Sequence, residues 1–292
     1  MASDLEASAE RGRIHTDRDA GVGAGGGVNE EASERLTVEV RSSAVMIRNG
    51  SVRTMGSTGV VRSGSREWVG RRVVTTSAEE LSSTIDVSQA QIVEVPESVD
   101  DDQAAMVGVV AIAFAAVYRA EVDRGGYIAV VGDDAVSLAS VQLGAVRNDK
   151  VRLISRGESA GERAARWGLK HRLVSEAGKR GDQRAVVLGD ASMFGDAARM
   201  ASDRATIVLI DGMGTIDGEL LQIVTERELT LRGVGTGPVS EAMAMIEMGG
   251  IDLAGLVGMR HQTADALQDQ RDGEITRLLQ SAEGLVGLVR SP

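Results

Sequence analysis

The chain has 292 residues, 42% of them apolar, enough to bury one large core or two modest ones. Its formal net charge of −11 disfavours phosphate backbones and anionic lipid, and 2% aromatic content leaves no stacking platform for single strands, so neither a nucleic acid nor a membrane is an expected partner. With no cysteine, disulfides, thiolate zinc sites, iron–sulfur clusters and thiol nucleophiles are all excluded.

Residues 1–34 are rich in Ala, Gly, Ser and Glu and carry no apolar segment. They read as a disordered tail rather than a signal peptide. A small β-domain is expected over 35–103. Leu36–Val40 alternates, Gly59–Val61 and Arg71–Thr75 are β-rich pieces bounded by glycine, and Ile92–Val95 is stopped by Pro96. Asp100, Asp101 and Asp102 supply negative charge at a helix start, and Ala104–Ala120 continues as a nearly all-apolar helix. That run is too short to span a bilayer, which takes about 20 apolar residues. A cytoplasmic protein is the expectation.

From there the pattern alternates strand and helix. Strands are expected at Tyr127–Val131, Lys150–Ile154, Arg172–Val174, Arg184–Leu188, Ala205–Ile210 and Leu229–Val234, with helices after the first, second and fourth. Near-continuous apolar strands separated by helices predict a doubly wound parallel sheet of Rossmann type over 104–235. Residues 236–292 are expected to hold helices at Val239–Met248 and Ile275–Gln280, and a strand at Leu285–Val289 that returns toward the β-domain. A site on this α/β architecture belongs at the first strand-to-helix turn, after Val131.

Two segments carry a family resemblance. Val95–Met106 (VPESVDDDQAAM) is similar to the V-P-x-x-[VL]-[ST]-x-x-x-A-A segment of the medium-chain dehydrogenase/reductase family, the zinc-type alcohol dehydrogenases. Ala242–Leu253 resembles the family's A-x-x-x-[IL]-x-x-G-x-[IL]-[DN] segment. The resemblance covers about Arg35 to Val289 and implies a reduced GroES-like β-domain before the Rossmann domain. It also implies a small-molecule substrate and a homodimer joined through the Rossmann sheets.

Set against the family pattern, the metal ligands are missing. Met46 stands at the position of the first Cys ligand, Met55 and Gly56 at those of the His and Glu, and Gly108 where a carboxylate or Cys is common. Zinc takes Cys, His, Asp or Glu donors, so no zinc is expected. The nucleotide loop reads Gly132-Asp133-Asp134-Ala135-Val136-Ser137 where the family has G-x-G-x-x-G. Gly132 keeps the tight turn, while Asp134 and Ser137 replace the glycines that admit the diphosphate and pack the helix. Each carboxylate would repel a diphosphate by about 1 kcal/mol even at high dielectric, and the favoured reading of both is as caps of the next helix. Ser155-Arg156 at the end of the second strand offers a hydroxyl and a guanidinium fork for a 2′-phosphate, which favours NADP over NAD.

The resemblance thus assigns Gly132, Asp134, Ala135, Ser155, Arg156 and Gly212 to the cofactor, Gly212 through the Asp211–Gly214 turn, and Arg48 and Asn49 to the substrate cleft. His171 reads as structural, and His261 lies in a polar stretch that in the family often borders the cleft. The expected activity is zinc-independent hydride transfer from NADPH to a small carbonyl or activated alkene. The alternative is a catalytically inactive dehydrogenase-like scaffold or binding protein.

Overall fold

The computed structural model describes residues 35–48, 51–77, 81–122, 126–147, 150–177, 183–210, 218–262, 273–281 and 284–290. They form two sheets held by a shared helical core. The first sheet contains β1 (Arg35–Arg48), β2 (Ser51–Ser63), β3 (Arg72–Thr75), β4 (Thr84–Ser88) and β5 (Ile92–Glu94). From the other end of the chain, β12 (Val257–Gln262) and β13 (Val286–Arg290) join it in the order β12-β13-β1-β2-β3-β5, with β4 also on β1. Pairing is antiparallel except between β12 and β13.

β1 and β2 run far beyond the short strands expected from Leu36–Val40 and Gly59–Val61. The alternation is interrupted by Ser42, Ser43 and Ser57, yet these are buried, because their hydroxyls find partners inside. Ser43 and Ser57 bond each other across the hairpin at 2.9 Å, and Ser42 donates to Asp102 at 2.8 Å. Internal pairing removes the penalty that would otherwise keep a hydroxyl out of a core.

The second sheet is parallel throughout. Its strands are β6 (Ile128–Val131), β7 (Val151–Ser155), β8 (Lys170–Leu173), β9 (Gln183–Leu188), β10 (Ala201–Leu209) and β11 (Thr230–Gly233), in the spatial order β11-β10-β9-β6-β7-β8. From β8 inward this is the 3-2-1-4-5-6 order of dinucleotide-binding sheets, with its switch point between β6 and β9. Along β6, Ile128 and Val130 face one apolar cluster while Ala129 and Val131 face another, so both faces are covered. This is why the strand reads as an unbroken apolar run rather than an alternating one.

The helices are α1 (Asp101–Ala105), α2 (Val107–Arg119), α3 (Ala135–Arg147), α4 (Glu158–Arg166), α5 (Phe194–Met200), α6 (Gly218–Glu226), α7 (Val239–Glu247) and α8 (Glu274–Ser281). Asp100 caps α1 through the Gln103 amide at 2.8 Å, and Gln103 returns the bond to the Asp100 amide at 3.0 Å. The single helix expected from Ala104 breaks at Met106, whose ψ of −4° closes α1 before α2 begins. The cluster around α2 reaches from Ala44, Met46 and Leu288 on the first sheet to Val130 and Val187 on the second, so one core serves both. Among the described residues no helix is long and apolar enough to cross a membrane. The architecture is mixed α/β, a Rossmann-type parallel sheet beside a reduced, GroES-like antiparallel domain.

Candidate functional site

The crevice at the carboxyl ends of the parallel strands opens on the β6–α3 turn. Gly132 has φ +148°, and a Cβ there would lie 2.3 Å from the Ser137 hydroxyl, so only glycine fits. Asp134 is the cap of α3. Its Oδ1 accepts the Ser137 amide at 2.7 Å, and its carbonyl accepts Leu138 at 2.9 Å. The Ala135 amide donates to the carbonyl of Gly284 at 3.1 Å. Gly284 belongs to the turn before β13 and has φ +76°; a Cβ on it would meet the Asp134 Cα at 3.3 Å.

These contacts bear directly on a diphosphate. A helix start binds phosphate through its unpaired amides and its positive dipole end. Here Ala135, Val136 and Ser137 are fully buried, and the first and third of their amides already serve a carbonyl and a carboxylate. The Ser137 side chain fills the space between Gly132 and Gly189, where a Cβ on Gly189 would come within 2.0 Å of its oxygen. That hydroxyl is buried with no hydrogen-bond partner among the described residues. The residues present do not fit a dinucleotide diphosphate in its usual seat.

Around this turn the charges are tied to one another. The half-buried Asp133 accepts the Arg156 amide at 3.2 and 3.3 Å and is also bonded to the Gly157 amide. Burial pushes its carboxyl above the ordinary range and the nearby Asp190 adds to the push; the two amides and the Arg156 charge offset this only in part. Arg156 Nη1 meets Asp190 at 3.2 Å and Nη2 donates to Ser192 at 2.8 Å. Because β6 lies between β7 and β9, this side chain crosses the end of the first strand. Asp190 Oδ1 is engaged too, by the Ser192 amide at 2.8 Å and hydroxyl at 2.6 Å.

Ser155 is buried. Its hydroxyl lies 2.6 Å from both the Gly157 carbonyl and His171 Nε2. The carbonyl can only accept, so the hydroxyl proton goes there and His171 donates from Nε2. The His171 ring lies where a Cβ on Gly161 would reach Nδ1 at 2.3 Å, so the histidine locks β7, α4 and β8 together. The signal that could have exposed part of this network is Asp190-Ala191-Ser192 at a strand end, an Asx-turn spelling. The Gly284 contact has no local signal, because its partner is some 150 residues away in sequence.

Of the residues assigned from sequence, Gly132, Asp134, Ala135, Ser155 and Arg156 gather at this crevice, bonded as above. Asn49, Gly212 and the Asp211–Gly214 turn lie outside the described residues, as does the side chain of Arg48, whose backbone ends β1 opposite Ser51. On the metal side, Met46 and Met55 are buried in the apolar core. A Cβ on Gly56 would lie 2.3 Å from the Ala105 carbonyl, and one on Gly108 would lie 1.6 Å from the Met55 carbonyl. Backbone therefore rests on backbone where a metal's ligands would project, and thioethers do not replace zinc donors. Among the described residues no three His, Asp or Glu side chains converge on a point. What remains between the sheets is a cleft of about 290 Å³, bordered by Arg53, Thr54, Thr76, Ile112 and Thr236.

No protein-family model matches the sequence, and no curated protein is similar to it in sequence. Solved structures do match in fold. A short chain alcohol dehydrogenase from Escherichia coli, complexed with NADH, superposes with a TM-score of 0.73 at 17% identity over 88% of this chain and 91% of that one. Galactitol-1-phosphate dehydrogenase from Escherichia coli gives 0.72 at 13% identity, over 88% and 93%. The 2R,3R-butanediol dehydrogenase of Bacillus subtilis gives 0.69 at 14%, over 88% and 92%. The chain has the two-domain fold of the zinc-type medium-chain alcohol and polyol dehydrogenases.

Proposed function

We propose that this chain is a non-catalytic member of the dehydrogenase fold, a scaffold that binds through its surfaces rather than by hydride transfer. The observation that carries the reading is the α3 start. Asp134 and the Gly284 carbonyl take the amides that would hold a diphosphate, and they bring negative charge where the ligand's own charge would have to sit. Displacing them would forfeit a helix cap of about 1 kcal/mol and a buried hydrogen bond, and would leave two carboxylates facing the phosphates. The donor positions occupied by Met46, Met55, Gly56 and Gly108 support the same reading.

The enzymatic reading, zinc-independent reduction of a carbonyl or activated alkene by NADPH, is favoured by different observations. Similar structures hold NADH or NADP, and Arg156 stands at the end of the second strand. Calorimetric titration with NADPH and NADH separates the two readings. The scaffold reading expects no saturable heat at about 1 mM cofactor, and micromolar binding of either nucleotide would overturn it.

A further inference from the structure

The cleft between the two sheets, of about 290 Å³, is close in size to the smallest ligand pockets. Three pieces of chain bring polar groups to it. Arg53 comes from β2, Thr76 follows β3, and Gly235-Thr236-Gly237 is the loop that joins β11 to α7. Arg53 pairs with Met46 across the β1–β2 ladder, and opposite residues share a face, so the arginine stands on the side of the sheet that meets the α2 core. Thr76 rests on α2, its Cγ2 3.3 Å from where a Cβ on Gly108 would lie. The loop is pinned to the same helix, because a Cβ on Gly237 would come within 1.8 Å of the Ala111 carbonyl, while the space beside Gly235 is open.

The donors around this cleft are unused. Arg53 is exposed, and among the described residues its guanidinium makes no hydrogen bond and no ion pair. The Thr76 and Thr236 hydroxyls, and the amides of Gly235, Thr236 and Gly237, likewise have no hydrogen-bond partner among the described residues. No Asp or Glu borders the cleft, although the chain carries 43 acidic residues against 32 basic ones. Elsewhere the rule is the opposite: Arg72, Arg156, Arg227 and Arg290 each meet a carboxylate. A cation without a counter-ion, beside free hydroxyls and three successive free amides, is a donor set that lacks an acceptor.

We propose that this cleft binds a small hydrophilic oxyanion, a carboxylate or phosphate group on a body of a few atoms, held by Arg53, the 235–237 amides and the two threonine hydroxyls. The guanidinium is a planar fork that matches the paired oxygens of either group, and successive loop amides can converge on an anion. A neutral molecule would leave the arginine's charge unmatched, and a cation would be repelled by it. The proposal goes beyond the scaffold reading and stands without it, since none of these residues belongs to the β6–α3 turn.

The probes are inorganic phosphate and lactate, titrated separately by calorimetry at constant ionic strength into the full-length protein and into Arg53→Gln, with lactamide as the uncharged control. Saturable one-to-one binding of either anion, weakened about tenfold or more in the variant and at least about tenfold tighter than lactamide, supports the proposal, and the tighter of the two identifies the head group. Absence of both at about 10 mM, binding unchanged by the substitution, or binding matched by lactamide overturns it. No nucleotide is present, so this result and the NADPH titration fail or succeed separately. The variant retains its fold, because the side chain it alters is exposed and unpaired; matching thermal unfolding of the two proteins verifies this, and Arg53→Lys should recover part of the affinity.

Discussion

Two places in this molecule bury a carboxylate beside an arginine, and they are built in opposite senses. At the joint between α1 and the antiparallel sheet, burial alone would raise the Asp102 pKa. The hydrogen bonds from Arg290 and Ser42, with the charges of Arg290 and Arg260, more than reverse this and hold the carboxyl below its ordinary range. At the end of β6, Asp133 has only amides for partners, and its one nearby cation, Arg156, is engaged by Asp190; its pKa is raised. The joint is a satisfied structural clamp. In the crevice Asp133 and Asp190 share one arginine, while Asp134 caps α3.

Breaking the clamp gives the largest effect. Asp102→Ala leaves the Arg290 guanidinium without its bidentate partner, and about 3–5 kcal/mol is lost when a fully buried pair is broken this way. Arg290 is half exposed and can be rehydrated, so the expected loss is about 2–3 kcal/mol, read by urea unfolding at pH 7. The pH dependence follows from the sign of the shift. The folded-state pKa of Asp102 lies below its unfolded value of about 4, so its contribution is complete above that value and disappears as pH falls through the folded one. The gap between wild type and variant should therefore close in acid; a gap constant down to pH 2 would mean the ion pair is not what the mutation removes.

Ser137→Ala tests the crevice from its most crowded point. The hydroxyl is fully buried and unpartnered between Gly132 and Gly189, so removing it deletes a desolvated polar atom at almost no loss of volume. An unsatisfied buried group costs about 1–3 kcal/mol, and a stabilisation of about 1 kcal/mol is expected after the lost packing is counted. Destabilisation would show that the oxygen has a partner and that the loop is built around it.

Much of this fold could be read from the chain. The inner parallel strands announce themselves because burial on both faces makes them apolar runs, as in β6, and the six expected pieces match β6 to β11 within a few residues. β4 and β12 went unread for the converse reason. Thr84–Ser88 and Val257–Gln262 are edge-type strands of mixed polarity, and only pairing with β1 and β13 makes them strands at all. The crevice was legible in its parts but not in its connections. A glycine and a carboxylate cap between a strand and a helix, as Gly132 and Asp134 are between β6 and α3, are a local reading. That Gly284 would reach Ala135, or that His171 would claim Ser155, depends on tertiary contacts that leave no periodicity and no spacing in the sequence.

The smallest effect is the most informative about the crevice. Arg156→Ala removes a pair whose members are 50% and 40% exposed, so solvent screening limits its stability cost to less than about 1 kcal/mol. Its electrostatic consequence falls on Asp133, whose carboxyl the Arg156 charge holds down. Without that charge the folded-state pKa of Asp133 rises further above the unfolded value, so the ionised form is less favourable in the folded protein at neutral pH. The cost should shrink as pH falls through the folded-state pKa and Asp133 takes up its proton, and because that pKa is raised it should do so at higher pH than the acid loss at Asp102. The same variant probes the ligand question. If the guanidinium only bridges Asp190 and Ser192, wild type and variant respond alike to NADPH and NADH. A selective loss of NADPH binding would mean that Arg156 swings out to hold a 2′-phosphate, and the crevice would then have to open despite Asp134 and Gly284.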